Sequence, residues 1–247
     1  MSHPHLAPEH LSIQRLYQAG AEFFFLQNHL YPRPAALQWV GNRHHLIEFQ
    51  RNLLNRGVFS QQAALRRRAK RCRGSAWQKE TLLIDGHNVH ITVESALLGR
   101  PLVLGNDGAL RDLAGQSARF RFAEIGEMAL DAILFFLFEF RPAEALFFFD
   151  APISRSGYMA DRYRQRMKGL GLAGEAKAVP VPEREFSGRD GVIASSDRAV
   201  LDEATQWLDL ARWVIDRTLS WQPVADFSNL IYSNSSAEKA SFSSGMW

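Results

Sequence analysis

Residues Thr81–Ser95 read "TLLIDGHNVHITVES". A run of strand-forming aliphatics stops at Asp85, and Gly86 and Asn88 follow at once. A carboxylate at the end of a buried strand is costly unless something pairs with it. Two later apolar runs end the same way, "LFFFD" at Asp150 and "VIASSD" at Asp197. Further short apolar runs stand at 102–104 and 178–181, with helix-length segments at about 123–140, 158–170 and 199–218 between several of the runs. This alternation, with strands apolar on both faces, predicts an α/β domain built on a parallel sheet. The ligand site of such a sheet lies beyond the carboxyl ends of its strands, so the three aspartates are expected on one edge. Asp107, in "GNDG", and Asp202, one helical turn past Asp197, are candidates to join them. Carboxylates packed together repel, and such a cluster calls for divalent cations. Mg²⁺ or Mn²⁺ accepts oxygen ligands and can polarise a phosphate while activating a water. Taken singly, each aspartate also fits a helix cap or a turn.

Outward from this stretch the chain divides by charge. Its 247 residues carry a net charge of +3, yet residues 1–80 alone hold 12 Lys and Arg against 4 Glu and no Asp, a balance of +8. The remainder stands at −5. The expected organisation is a basic helical module over 1–79, an α/β domain over 80–222, and a mobile Ser- and Asn-rich tail over 223–247. Ile13, Leu16, Tyr17, Gly20 and Phe24 fall on one face of a first helix. Three more helices are expected before the run "RRRAKRCR" at 66–73, where six of eight residues are basic. Arg66, Arg67, Arg68, Lys70 and Arg71 are candidate phosphate contacts, because each neutralised phosphate releases counterions. Arg155 and the arginines after it form a second basic stretch that could face substrate.

With 46% hydrophobic and 22% charged residues the chain reads as globular. The richest apolar run, "AILFFLFEF" at 132–140, is too short to span a bilayer, which takes about 20 apolar residues. "MSHPHLAPEH" lacks an apolar core, so no signal peptide is expected and the cytoplasm is the default location. One cysteine, Cys72, leaves no internal disulfide and no cysteine-based zinc site. No phosphate loop, dinucleotide fingerprint or serine-hydrolase elbow occurs.

"LLIDGHNV" resembles the opening motif of PIN-like nucleases, particularly the NYN branch, whose first strand ends in Asp-Gly-x-Asn. "FFFD" and "VIASSDRAVLD" resemble the later acidic strand ends of that superfamily. The whole chain, over about 10–217, also resembles an uncharacterised prokaryotic family with a small helical N-terminal domain before a PIN-like domain, through "VGNRHHL", "RNLLNRGVFS", "DGALRDLAG" and "FDAPISRSG". The resemblance implies a three-layer PIN-like fold and a Mg²⁺- or Mn²⁺-dependent ribonuclease acting on RNA without a membrane partner. It makes Asp85, Asp150 and Asp197 metal ligands, gives Asn88 the first-strand turn or a phosphate, and has Ser195 or Ser196 orient the last carboxylate. PIN nucleases often add an acidic residue on a central helix, for which Glu124, Glu127 and Asp131 are candidates, while "DGALRD" (107–112) has no clear counterpart. The rival expectation is a non-catalytic nucleic-acid-binding or regulatory protein on the same fold.

Overall fold

The computed structural model describes residues 13–113, 124–153 and 155–232. In chain order the elements are α1 (Ile13–Asn28), α2 (Arg33–Arg43), α3 (Glu48–Gly57), α4 (Gln61–Ala69), β1 (Thr81–Asp85), α5 (Gly86–Leu97), β2 (Leu102–Leu104), β3 (Leu110–Asp112), α6 (Glu124–Phe140), β4 (Glu144–Asp150), α7 (Ser156–Leu170), β5 (Gly174–Val179), α8 (Pro182–Phe186), β6 (Val192–Ala194), α9 (Arg198–Glu203), β7 (Trp207–Leu208), α10 (Leu210–Thr218) and β8 (Ala225–Asp226). They form two compact units, and the division falls inside α4, between Leu65 and Arg66.

The helical unit holds the residues up to Leu65, together with Val103–Gly108 and the chain from Ala225. Leu16, Phe23 and Phe24 of α1, Val40 of α2 and Leu53 and Leu54 of α3 are buried there. Gly20 and Gly57 leave room for the buried ring of Phe227, where a Cβ on Gly57 would come within 2.6 Å. Asn106 clasps Phe59 from both sides, accepting its N–H at 2.9 Å and donating to its carbonyl at 2.8 Å. Val103 and Leu104 pair in parallel with Ala225 and Asp226. The chain from 223 to 232, expected as part of a mobile tail, therefore carries a strand and a core aromatic, because Phe227 fills the gap above the two glycines. Residues 233–247 lie outside the described part.

The second unit, Arg66–Leu102 with Ala109–Val224, is the α/β domain. Its five strands run in the order β5-β4-β1-β6-β7, and every pair is parallel. Period-two alternation makes both faces apolar. Leu82, Ile84, Phe147, Phe149, Val192 and Ala194 face a large core with residues of α5, α6, α7 and α10. Leu83, Phe148 and Ile193 face a smaller core with Phe186 of α8 and Val200 and Leu201 of α9. The result is a three-layer α/β domain. After β5 the chain returns to the other side of β1, so the strand order reverses at β1 and opens a crevice at its carboxyl end.

Three expectations change. The helix expected over 199–218 is broken by β7, because Trp207 and Leu208 are wholly buried at the sheet edge. The run at 102–104 joins β8 rather than the main sheet. The basic run, expected as a strip of phosphate contacts, is packed against the sheet. Arg71 bridges Trp207 in parallel register, and the Trp207 N–H donates to the Lys70 carbonyl at 3.0 Å. The run thus covers the open edge of β7. Among the described residues no helix is long and apolar enough to cross a membrane.

Gly174 opens β5 at φ +136°, opposite Ala145, and an added Cβ would stand 2.0 Å from the Ala145 carbonyl oxygen. Gly174→Ala is expected to destabilise the protein by about 2–3 kcal/mol through backbone strain and overpacking. A lowered urea midpoint at unchanged m-value checks it.

Candidate functional site

Register sets the site. Asp85 is level with Phe148 of β4, and Ile84 with Ala194 of β6, which brings Ser195 beside Asp85. Asp150 stands two residues further along β4, about 7 Å at the usual strand rise, and Asp197 follows Ser195 by two residues. Asp85, Asp150 and Ser195 continue the alternation of Leu83, Phe148 and Ile193, toward the face that carries α8 and α9. Asp85 therefore lies low in a notch, with Asp150 and Asp197 higher on either side.

Asp85 is the N-cap of α5 and accepts the Asn88 N–H at 3.2 Å. Its other oxygen accepts the Ser195 hydroxyl at 2.9 Å, and Ser195 Oγ in turn accepts the Asp197 N–H at 3.1 Å. Asn88 Oδ1 accepts both the N–H and the hydroxyl of Ser196, at 2.8 and 3.1 Å. These bonds stitch the first turn of α5 to the β6–α9 turn. Buried Arg111 donates to the Ser196 carbonyl at 2.7 Å and holds the same turn from β3. Ser195 thus orients the first carboxylate and also holds the backbone of the last, Asp197. Asp197 is the N-cap of α9 and accepts from the N–H groups of Ala199 and Val200.

Burial pushes the Asp85 carboxyl up to about 7, the bonds from Ser195 and Asn88 pull it down, and the charges of Asp197 and Glu183 raise it. The Asp150 carboxyl is also raised, by burial first and then by Glu183. Glu183, exposed on α8, is thus a fourth carboxylate in the same field. Sequence reasoning passed over it because "VPVPERE" ends β5 in two prolines and reads as a loop, although an acid four residues past a strand end was a usable signal. His87, which beside Asn88 could read as a phosphate or water contact or as a packing residue, is placed by its hydrogen bond. Its Nδ1 accepts the Asp150 N–H at 3.0 Å, and burial pushes it down to about 4, so it is a neutral bracket between α5 and β4.

Other expected residues are elsewhere. Asp107 is wholly buried in the helical unit, next to Asn106. Asp202 is gripped by two arginines: Arg67 donates to both its oxygens at 2.9 and 2.8 Å, and Arg66 adds a bond at 2.8 Å. Lys70 donates to the Asp202 carbonyl at 2.8 Å, and half-buried Arg71 lies over the Trp207 ring. Arg66, Arg67 and Lys70 are therefore bound within the protein, and Arg68 is half-buried beside them. Arg155 is exposed at the start of α7. Farther along, Arg162 and Arg166 pair with Glu127 and Asp131 of α6, which accounts for two of the acids considered for a central-helix ligand.

Among the described residues, no three His, Cys, Asp or Glu side chains form a group that could hold a metal ion. The stagger of Asp85 against Asp150 and Asp197 explains this. The donors are nonetheless the hard oxygens that Mg²⁺ and Mn²⁺ take. Mg²⁺ is commonly held by one or two carboxylates plus substrate phosphates rather than by an all-protein cage, and that arrangement fits Asp85 with Asp150.

Residues 75–213 match the family model described as Domain of unknown function (DUF5616), and residues 15–70 match one described as Protein of unknown function (DUF434). The two matches meet between 70 and 75, as the resemblance to a two-part uncharacterised architecture requires. A protein of Methanocaldococcus jannaschii, described as Uncharacterized protein MJ0935, is 27% identical over 184 residues, covering 74% of this chain and 88% of that protein. No solved structure matches the chain.

The raised Asp85 carboxyl binds its proton more tightly in the folded than in the unfolded chain. Its contribution to stability is present below the unfolded value of 3.8 and is lost as pH rises toward about 7. Asp85→Asn, in chelator, is expected to be more stable than wild type at pH 8, with the difference closing below pH 4. Denaturant titrations across that range check it. A mutant less stable at pH 8 would make the ionised carboxylate a net stabilising cap.

Proposed function

The chain belongs to the family described as Domain of unknown function (DUF5616), and on that premise we propose that its carboxylate edge is the centre of a divalent-cation-dependent hydrolase of RNA phosphodiesters. The domain is, on this reading, PIN-like and of the NYN type. One observation carries the proposal: Asp85 and Asp150 end adjacent parallel strands, and Asp197 follows the third, around the point where the strand order reverses, where burial and the charges of Asp197 and Glu183 raise the Asp85 carboxyl. Like charges gathered in a partly desolvated crevice favour a cation.

Asp85 and Asp150, on adjacent strands, would hold the ion, with Asp197 and Glu183 adding negative field. Mg²⁺ or Mn²⁺ there supplies the positive charge that polarises a phosphoryl group and makes a water nucleophilic at neutral pH. The remaining work belongs to the chain. Ser195 and the Asn88 N–H fix the rotamer of Asp85, so no reorientation is needed when charge develops. Asn88 and Arg111 hold the turn at Ser196 and so fix where Asp197 stands. His87 does the same for the backbone at Asp150.

A second reading, nucleic-acid binding without hydrolysis, is favoured by the lack of a three-ligand group among the described residues. The two separate cleanly. Wild-type protein with Mn²⁺ is expected to cleave labelled single-stranded RNA and to lose the activity in EDTA. Asp85→Asn and Asp150→Asn should each lower the rate at least about a hundredfold, the several kcal/mol that Lewis-acid stabilisation supplies. Cleavage that persists in EDTA, or unaltered by Asp85→Asn, rejects the hydrolase. RNA binding without any cleavage establishes the second reading.

A further inference from the structure

The same edge of the sheet carries the opposite charge at its other end. Residues 70–72 run parallel to β7, so Arg73 emerges at the carboxyl edge, where Asp85 lies three strands away. α10 begins there too, with Arg212 in its first turn. Arg71, Arg73 and Arg212 line a pocket of about 380 Å³, with Trp213 and Asp216 among the other lining residues.

The charges in this pocket are unevenly matched. Asp216 is exposed and stands 3.5 Å from Arg212. Asp209 is buried 4.0 Å from Arg71, but its oxygens already accept the Leu110 N–H at 2.8 Å and the Arg212 N–H at 3.3 Å. Burial lowers the Arg71 pKa; Asp209 works against this, and Arg212, Arg73 and Arg68 lower it further by repulsion. An anion between the guanidiniums would relieve that repulsion. The N-terminus of α10 adds its own partial positive charge.

We propose that this pocket is a phosphate subsite, which takes a phosphoryl group of a polynucleotide lying along the carboxyl edge from the acidic centre. Guanidinium groups suit phosphate because their paired N–H donors match its oxygens. Three strand spacings separate the pocket from Asp85, about 14 Å, so the bound phosphate lies some nucleotides from the one at the centre. An acidic centre repels a polyanion, and a cationic pocket on the same edge offsets that repulsion. The inference rests on the hydrolase reading for its choice of ligand, and it replaces the strip at 66–71 as the route for RNA. Of that strip only Arg71 reaches this pocket.

The test is binding of a short labelled single-stranded RNA to the full chain in EDTA, followed by anisotropy across a KCl series. Arg71 is left intact because it packs on Trp207 and pairs with Asp209. The double variant Arg73→Ala/Arg212→Ala should bind about tenfold more weakly at low salt. Its slope of log K against log salt should fall by about 0.7, the value for one phosphate charge on a single strand. Arg73→Ala alone, at an exposed position, should give about half that change. Arg217→Ala, farther along α10 and paired with Glu139, should leave the slope as it is. An unchanged slope in the double variant, or an equal loss in Arg217→Ala, overturns the subsite. Displacement of RNA by inorganic phosphate at micromolar concentration assigns the pocket to a free phosphate ligand and overturns the polynucleotide. Cleavage in Mn²⁺ by a double variant of unaltered slope sinks the subsite and leaves the hydrolase standing. A lowered slope, together with cleavage indifferent to Asp85→Asn, does the reverse.

Discussion

The carboxylate of Asp85, at the end of the central strand, takes one hydrogen bond from the Asn88 N–H and another from the Ser195 hydroxyl. A strand apolar on both faces delivers this charge to a place with little water, where leaving it unmatched is costly. Two bonds soften the cost without removing it, and the carboxyl stays near neutral pH. Both neighbouring strands are tied to the same point. β6 is tied through Ser195 and through the Asn88–Ser196 pair, and β4 through His87, which accepts the backbone N–H of Asp150. The three strand ends and the first turn of α5 therefore behave as one hydrogen-bonded piece, and the acidic field has a fixed shape.

The charge asymmetry along the chain has a structural use that its sign does not reveal. Much of the basic run at 66–73 is consumed inside the α/β unit. Arg67 is nearly wholly buried on Asp202, and Arg71 covers Trp207 at the sheet edge. Buried ion pairs of this kind add less stability than their Coulomb attraction suggests, because both partners give up water. Their value here is positional: they close an edge that would otherwise offer unpaired backbone groups. The arginines of α7 are treated likewise, since Arg162 and Arg166 lock onto α6. Among the described residues, positive charge also gathers at the pocket of Arg71, Arg73 and Arg212, a grouping that joins two segments about 140 residues apart in sequence.

Much of the architecture was legible from periodicity. The four N-terminal helices, the apolar runs that became β1, β4 and β6, and the convergence of Asp85 and Asp150 on one edge follow from composition and spacing alone. Legibility failed where an element is short and its stability comes from neighbours. β7 has two residues, and nothing local separates it from a helix; it is a strand because Trp207 pairs on one side with β6 and on the other with Arg71. α8 has only five residues and opens on Pro182, two residues after Pro180, and so Glu183 was missed. Phe227 reads as part of a polar tail until Gly20 and Gly57 are seen to make room for it.

At the site the same boundary appears between residue identity and residue partner. The sequence by itself determined that carboxylates would end buried parallel strands, because only strands apolar on both faces carry such runs and a parallel sheet points all their ends one way. It also determined that the turn after β1 would be polar and tight. Tertiary structure alone decided which carboxylates share a field and which are spent. Asp202 is one turn from Asp197 yet belongs to Arg66 and Arg67, while Glu183, which no strand-end pattern singles out, stands in the field of Asp85 and Asp150. Strand register decided that Asp85 lies two residues short of its neighbours, and a stagger of that kind is set by backbone pairing between distant segments. No pattern local to any one segment encodes it.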